Sequence, residues 1–157
     1  GKKARELKEL SLTEIAELSV DSLGPLAIQK EVNVELTGEK NLIHICDRDE
    51  LEIIFNNLIS NAIKYNRSKG RVVCHLSSDG NYNTISVSDT GIGIPEDDLP
   101  KLFKEFVRIK NENTRHIAGS GLGLSIVKRI VDLYHGRIEV KSVLNEGTSF
   151  VVHFPLR

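Results

Sequence analysis

Residues 89–95 read Asp89-Thr90-Gly91-Ile92-Gly93-Ile94-Pro95 and follow the alternating run Ile85-Ser86-Val87-Ser88. The alternation predicts a strand. The chain leaves that strand through a carboxylate and a pair of glycines spaced one residue apart. A tight turn needs only a single glycine. Paired glycines beside an acid imply that something approaches the main chain closely.

Toward the N-terminus, Val72-Val73-Cys74-His75-Leu76 reads as the hairpin partner of Ile85 and Val87, with Asp79-Gly80-Asn81 as the turn. Before it, Leu51, Ile54, Phe55, Leu58, Ile59, Ala62 and Ile63 recur at helical spacing and mark one buried stripe. Asp47 with Glu50 makes a capping-box-like start to that helix. Ser11 with Glu14 predicts an earlier helix running to about Lys30, perturbed at Gly24-Pro25. Val32, Val34 and Leu36, and then Ile43 and Ile45, predict strands. Residues 1–10, GKKARELKEL, are charged and read as a tail or the end of a linker helix.

Toward the C-terminus, a short helix is expected from Glu96 to Phe106, followed by a polar loop over residues 107–118. GSGLGLSIVKRIVDLYHG is a glycine-rich turn running into a helix, with Gly136 as its stop. Ile138 and Val140, with Phe150, Val152 and Phe154, predict a closing hairpin around Asn145-Glu146-Gly147. The strands group into hairpins rather than regular βαβ units. The expected fold is therefore α+β, a two-layer α/β sandwich whose mixed, mostly antiparallel sheet carries helices on one face.

The chain has 157 residues, 39% of them hydrophobic and 27% charged, which suits one soluble domain with a core. A formal net charge of −1 with scattered basic residues argues against a domain built to grip nucleic acid. Cys46 and Cys74 are far apart and lack metal-ligand spacing, so they read as small buried hydrophobes. No apolar run reaches membrane-spanning length, and no direct membrane contact is expected. The absence of methionine suggests a piece of a longer protein.

Three groups carry candidate chemistry. Asn57, Asn61 and Lys64 share a helix face distinct from the apolar stripe. Such a face fits solvated or core amides as well as a polar wall against a ligand. In the second case an Asn oxygen suits Mg²⁺, and Lys64 suits phosphate. Gly119, Gly121 and Gly123 open a helix whose N-terminus can receive phosphate, or they form a flexible turn. They match neither a Walker A loop nor a dinucleotide-binding fingerprint. Asp89 is either a turn cap or an acceptor for an exocyclic amine, which adenine offers and guanine at that position does not.

In order, NLISNA (57–62), DTGIG (89–93), FKEF (103–106) and GSGLGL (119–124) resemble the N, G1, F and G2 boxes of sensor histidine kinases. The resemblance runs from about Ser11 to the end and includes HGRIEVKSVLNEGTSFVVHFPL. It points to the catalytic ATP-binding domain, of the gyrase, MutL and histidine-kinase superfamily, over residues 11–157, with residues 1–10 as a tail from a preceding dimerisation helix.

The resemblance implies Mg²⁺-ATP as the ligand. Asn61 would hold Mg²⁺, Asn57 a phosphate oxygen, and Lys64 the phosphates. Tyr65 would pack on adenine, Asp89 would read its amino group, and Gly91, Gly93 and Ile94 would line the base site. Thr148 would reach the base through water. Arg108 would meet the terminal phosphate, giving catalytic roles to Asn57, Lys64 and Arg108. Residues 107–118 would form a lid, with Gly119, Gly121, Leu122, Gly123 and Leu124 facing the phosphates and Phe103 and Phe106 as anchors.

ATP-hydrolysing relatives carry a glutamate at the position of Asn57, so transfer to a histidine is favoured over rapid hydrolysis. None of His44, His75, His116, His135 and His153 precedes an acid as a phosphoacceptor histidine does. The acceptor is thus expected on a separate domain of the same protein, and through it a response regulator. A monomer in the cytoplasm is expected, whether or not the parent protein is membrane-anchored. The rival readings are a degenerate interaction module that keeps the fold, and a gyrase- or MutL-type ATPase.

Overall fold

The structure, a computed structural model, describes residues 4–104 and 123–156. Strand β1 (Lys8–Ser11) leads into α1 (Leu12–Ser22), α2 (Gly24–Lys30), β2 (Asn33–Gly38) and β3 (Ile43–Cys46). Then come α3 (Arg48–Lys64), β4 (Arg71–Ser78), β5 (Tyr82–Asp89), a 3₁₀ helix (Glu96–Lys101), α4 (Gly123–Leu133), β6 (Arg137–Val143) and β7 (Gly147–Pro155).

A five-stranded sheet runs in the order β2-β4-β5-β7-β6, and β1 pairs with β3 in a separate two-stranded sheet. Only β2 and β4 run parallel; the remaining neighbours are antiparallel. The sheet has two chemically different faces. Val72, Cys74, Leu76, Ile85, Val87, Phe150, Val152 and Phe154 alternate inward and are buried. The opposite positions, among them His75, Ser86, Ser88 and Ser149, are mostly polar and open to solvent to varying degrees, with Val73 and Val151 as exceptions. Helices cover the apolar face, so the expected α+β sandwich is the observed one.

α3 fills the centre of the core because its sequence supplies both the stripe and the ends. Leu51, Ile54, Phe55, Leu58, Ile59, Ala62 and Ile63 are all buried. The helix packs on β4 and β5 and against α1, α2 and α4. Asp47 caps it, its Oδ1 accepting from the Glu50 amide at 3.1 Å. Acids in the first turn and Lys64 in the last complement the helix dipole.

Four local expectations change. The helix expected from Ser11 to Lys30 is two helices, because Leu23 ends α1 and Pro25 opens α2. Residues 8–10, expected as tail or linker helix, belong to strand β1, with Lys8 to Ser11 paired to Cys46 through Ile43. The helix expected from Glu96 to Phe106 is a 3₁₀ turn ending at Lys101, with Pro100 inside it and unable to donate. Gly136 does not supply the left-handed stop of α4. His135 takes that conformation (φ 57°), while the His135 and Gly136 amides bond to Asp132 and Val131 carbonyls in a Schellman arrangement. A Cβ at Gly136 would instead crowd the His153 carbonyl at 2.5 Å.

Candidate functional site

Three segments converge at the C-terminal end of α3: the helix itself, the loop after β5, and the β6–β7 turn. Asp89 sits at the end of β5, opposite Val72 of β4. Its Oδ1 accepts from the Gly91 amide at 2.8 Å and the Thr148 amide at 3.2 Å. Burial raises its pKa to about 6, and those two amides pull the other way. Among the described residues Oδ2 has no donor, which leaves one acceptor oxygen for a ligand.

The glycines of this loop are required by the protein's own backbone. A Cβ on Gly91 would overlap the Tyr65 carbonyl and stand 2.9 Å from Asp89 Oδ1. Gly93 has φ 74°, and a Cβ there would overlap the Val143 carbonyl. The close approach lets the Ile92 amide bond to the Tyr65 carbonyl (3.0 Å) and the Asn145 amide to the Ile92 carbonyl (2.7 Å). The Ile94 amide donates to Ser142 Oγ at 2.8 Å. Ser142 Oγ also lies 2.9 Å from Oγ1 of the buried Thr148. Thr148 thus meets Asp89 through its amide and Ser142 through its hydroxyl.

Asn57, Asn61 and Lys64 lie on one half-buried face of α3, as the spacing predicts. Asn57 Nδ2 donates to the Ile53 carbonyl at 2.8 Å. Its Oδ1 faces Gly123, the first residue of α4, where a Cβ would collide with it. The start of α4 is thereby brought against the asparagine face. The side chains of Asn61 and Lys64 have no hydrogen-bond or ion-pair partner among the described residues. Tyr65 caps the end of α3 and is half-buried. Leu124 and Ile94 pack on the core, as does Phe103, whose ring meets Phe150 edge-on at 6.4 Å. Arg108, Gly119, Gly121, Leu122, Phe106 and residues 107–118 lie outside the described residues.

Sequence reasoning missed the side chains that frame this loop. Arg67 Nε donates to the Thr90 carbonyl (2.9 Å), and its Nη2 to the carbonyls of Gly91 (3.0 Å) and Asn145 (2.7 Å). Asn66 Nδ2 donates to the Arg71 carbonyl at 2.9 Å, and its Oδ1 accepts from Thr90 Oγ1 at 3.2 Å. Asn66 and Arg67 directly follow the Asn57–Tyr65 stretch, but nothing one-dimensional joins them to residues 90 and 145.

Chemically, the described residues offer a carboxylate oxygen without a donor at one end and an amide–ammonium row at the other. The first suits a hydrogen-bond donor on a flat ring, the second a polyphosphate. Mg²⁺ fits the second. A lone amide oxygen at Asn61, without a partner among the described residues and close to Lys64 in sequence, is the partial ligand set of a hard cation that arrives with phosphates and water. The described residues include no cluster of three or more His, Cys, Asp or Glu side chains that could hold a metal by themselves.

The family model for histidine kinase-, DNA gyrase B- and HSP90-like ATPases matches residues 46–157. Sensor protein kinase WalK of Staphylococcus haemolyticus (strain JCSC1435) is 42% identical over 111 residues, covering 69% of this chain and 18% of that protein. Circadian input-output histidine kinase CikA of Synechococcus elongatus is 33% identical over 159 residues, covering 99% of this chain and 21% of that protein. The chain thus spans about a fifth of the length of these curated relatives. The catalytic domain of histidine kinase ThkA, in a nucleotide-free form, superposes with a TM-score of 0.84 at 25% identity, covering 96% of this chain and 98% of that one. The family model covers more than half of the chain, and the chain belongs to the family of histidine kinase-, DNA gyrase B- and HSP90-like ATPases.

Proposed function

We propose that this chain is the Mg²⁺-ATP-binding catalytic domain of a two-component sensor histidine kinase, passing the γ-phosphoryl group to a histidine on a partner domain. The observation that carries the reading is Asp89. Its Oδ1 is pinned by the Gly91 and Thr148 amides, and its Oδ2 meets no donor among the described residues at the end of α3. That geometry can accept a hydrogen bond from the adenine amino group.

The residues divide the work by position. Asp89 orients the base, with Tyr65 and Ile94 beside it. Asn57, Asn61 and Lys64 face the phosphates, and Arg108 is the residue assigned to the terminal phosphate. Bound Mg²⁺ would supply charge neutralisation and in-line alignment, which is the main requirement of phosphoryl transfer. Asn57 is an amide and takes no proton near neutral pH, so it cannot activate water as a carboxylate would. The site therefore suits transfer to an incoming histidine rather than rapid hydrolysis. The acceptor domain, and a response regulator served by it, are the partners proposed. The histidine kinase ThkA, which shares this fold, has been solved in complex with response regulator protein TrrA. Among the described residues no helix is long and apolar enough to cross a membrane.

Calorimetric titration of a non-hydrolysable ATP analogue, with and without Mg²⁺, beside a GTP analogue and the Asp89→Asn variant, tests this. Adenine-selective binding that Mg²⁺ strengthens and Asp89→Asn weakens is expected. No binding by the folded chain would transfer the case to an interaction module that merely keeps the fold.

A further inference from the structure

We propose that Arg67 is a positioning residue for base recognition, acting through Asp89 by holding the Asp89–Gly93 loop against the β6–β7 turn. This deepens the nucleotide-binding reading above and rests on it. An exposed arginine is ordinarily a solvated one. Arg67 departs from that in where its protons go.

One guanidinium meets three main-chain carbonyls, those of Thr90, Gly91 and Asn145, from two segments remote from it in sequence. Among the described residues these carbonyls have no other donor. Thr90 and Gly91 are the two residues immediately after Asp89, and the Gly91 amide is one of the two that hold Asp89 Oδ1. Asn145 belongs to the turn that precedes Thr148, whose amide is the other. The Asn145 amide closes the ring by donating to Ile92 at 2.7 Å. Arg67 thus stands behind both donors that orient the carboxylate.

The planar fork is what allows this. Nε and Nη2 diverge at fixed angles toward different carbonyls, whereas a lysine ammonium is a point donor on a flexible stem. Neighbouring bonds fix the fork's base: the Arg67 amide donates to Asn66 Oδ1 at 2.9 Å, and Asn66 is tied to Thr90 and Arg71. No atom of Arg67 needs to touch the nucleotide for this role.

The test is a double-mutant cycle on the whole chain, with Arg67→Ala, Asp89→Asn and the pair, titrated with a non-hydrolysable ATP analogue and Mg²⁺. Arg67→Ala is expected to weaken binding about tenfold, the scale of one charge-assisted hydrogen bond. In the Asp89→Asn background the same change is expected to matter by less than about twofold, because coupled residues are non-additive. Arg67→Lys is expected to recover only part of the loss. Hydrogen exchange at the Ile92 and Asn145 amides should accelerate in Arg67→Ala while core amides of α3 stay protected, which a general loss of stability would not produce. Additive effects of the two changes, or unaltered exchange at those amides, would overturn the proposal while leaving nucleotide binding intact. Wild-type chain that binds no analogue would remove both.

Discussion

At Asp89 the burial that fixes the carboxylate also disfavours its charge. Its pKa rises from 3.8 to about 6, chiefly by desolvation. A folded pKa above the unfolded one means that the native chain keeps a proton the unfolded chain has lost. This group's contribution to stability therefore falls as pH rises through that window. Recognition of an amino group runs the opposite way, since the ionised form is the stronger acceptor. The affinity for an ATP analogue, taken as a ratio to that of Asp89→Asn at the same pH, is expected to tighten about tenfold between roughly pH 5 and pH 7. Titration of the phosphates cancels in that ratio, and calorimetry at several pH values reads it. A constant ratio would mean that the base does not meet Asp89. Gly91 makes a different demand, because its missing Cβ is where the Tyr65 carbonyl lies. Gly91→Ala is expected to destabilise the chain by about 1–3 kcal/mol and to displace the loop, read by urea unfolding and by loss of analogue binding. The need for glycine at positions 91 and 93 was legible in the sequence. Its cause was not: the partners are carbonyls of Tyr65 and Val143, at residues that only the folded chain brings near. For the same reason Arg67 escaped notice, since its acceptors are main-chain atoms that carry no side-chain signature.

The elements divide by how much of their information is local. α3 announces itself by a period, a cap and charged ends, and each of the seven stripe residues is buried. The hairpins around Asp79–Asn81 and Asn145–Gly147 likewise follow from alternation and turn residues. Strand β1 could not be read this way, because its pairing partner Ile43–Cys46 lies beyond two intervening helices and β2. What secures it is a cluster at the N-terminus of α3. Arg5 Nε and Nη2 bond to Glu50 at 2.7 and 3.0 Å, and the guanidinium lies 5.2 Å from the centre of the Tyr134 ring. The Glu6 amide donates to Asp47 Oδ2 at 2.8 Å. Tyr134, just past the end of α4, accepts a hydrogen bond from the Asp47 amide at 2.9 Å and donates to Glu50 at 2.6 Å. One phenol thereby joins the incoming segment, the cap of α3 and the end of α4. Tyr134→Phe removes the hydroxyl and leaves the Asp47 amide without that acceptor. A loss of about 1–2 kcal/mol in urea unfolding is expected, with earlier proteolytic release of the segment before Ser11. Equal stability and equal protease resistance would show that the cluster only decorates the surface. At the other end, Phe55→Ala in the centre of α3 is expected to cost about 3–5 kcal/mol, because Phe55 is fully buried between helix layer and sheet.

At the scale of the molecule, the two faces of the sheet separate the candidate site from two of the histidines. The site is built on the helix side, from α3, the start of α4 and the loop after β5. His75 and His153 stand on the opposite face, bonded to Thr37 and Thr84 respectively. His44 is buried among Asn83, Tyr134 and Phe154, and burial lowers its pKa. His135 occupies the turn after α4 in a left-handed conformation that the Schellman bonds require. Among the described residues none of these four imidazoles meets Asn57, Asn61 or Lys64. His116 lies outside the described residues and is the remaining histidine of the chain. The chain alone, incubated with ATP labelled at the γ-phosphate, is therefore expected to gain no acid-labile label. A phosphoacceptor domain added in trans should become labelled, and more slowly so with Asp89→Asn. Phosphorylation of the lone chain that disappears in His116→Gln would place the acceptor within these residues and end the need for a partner. Label that persists in that variant would make one of the other four histidines the acceptor, and would likewise end the need for a partner domain.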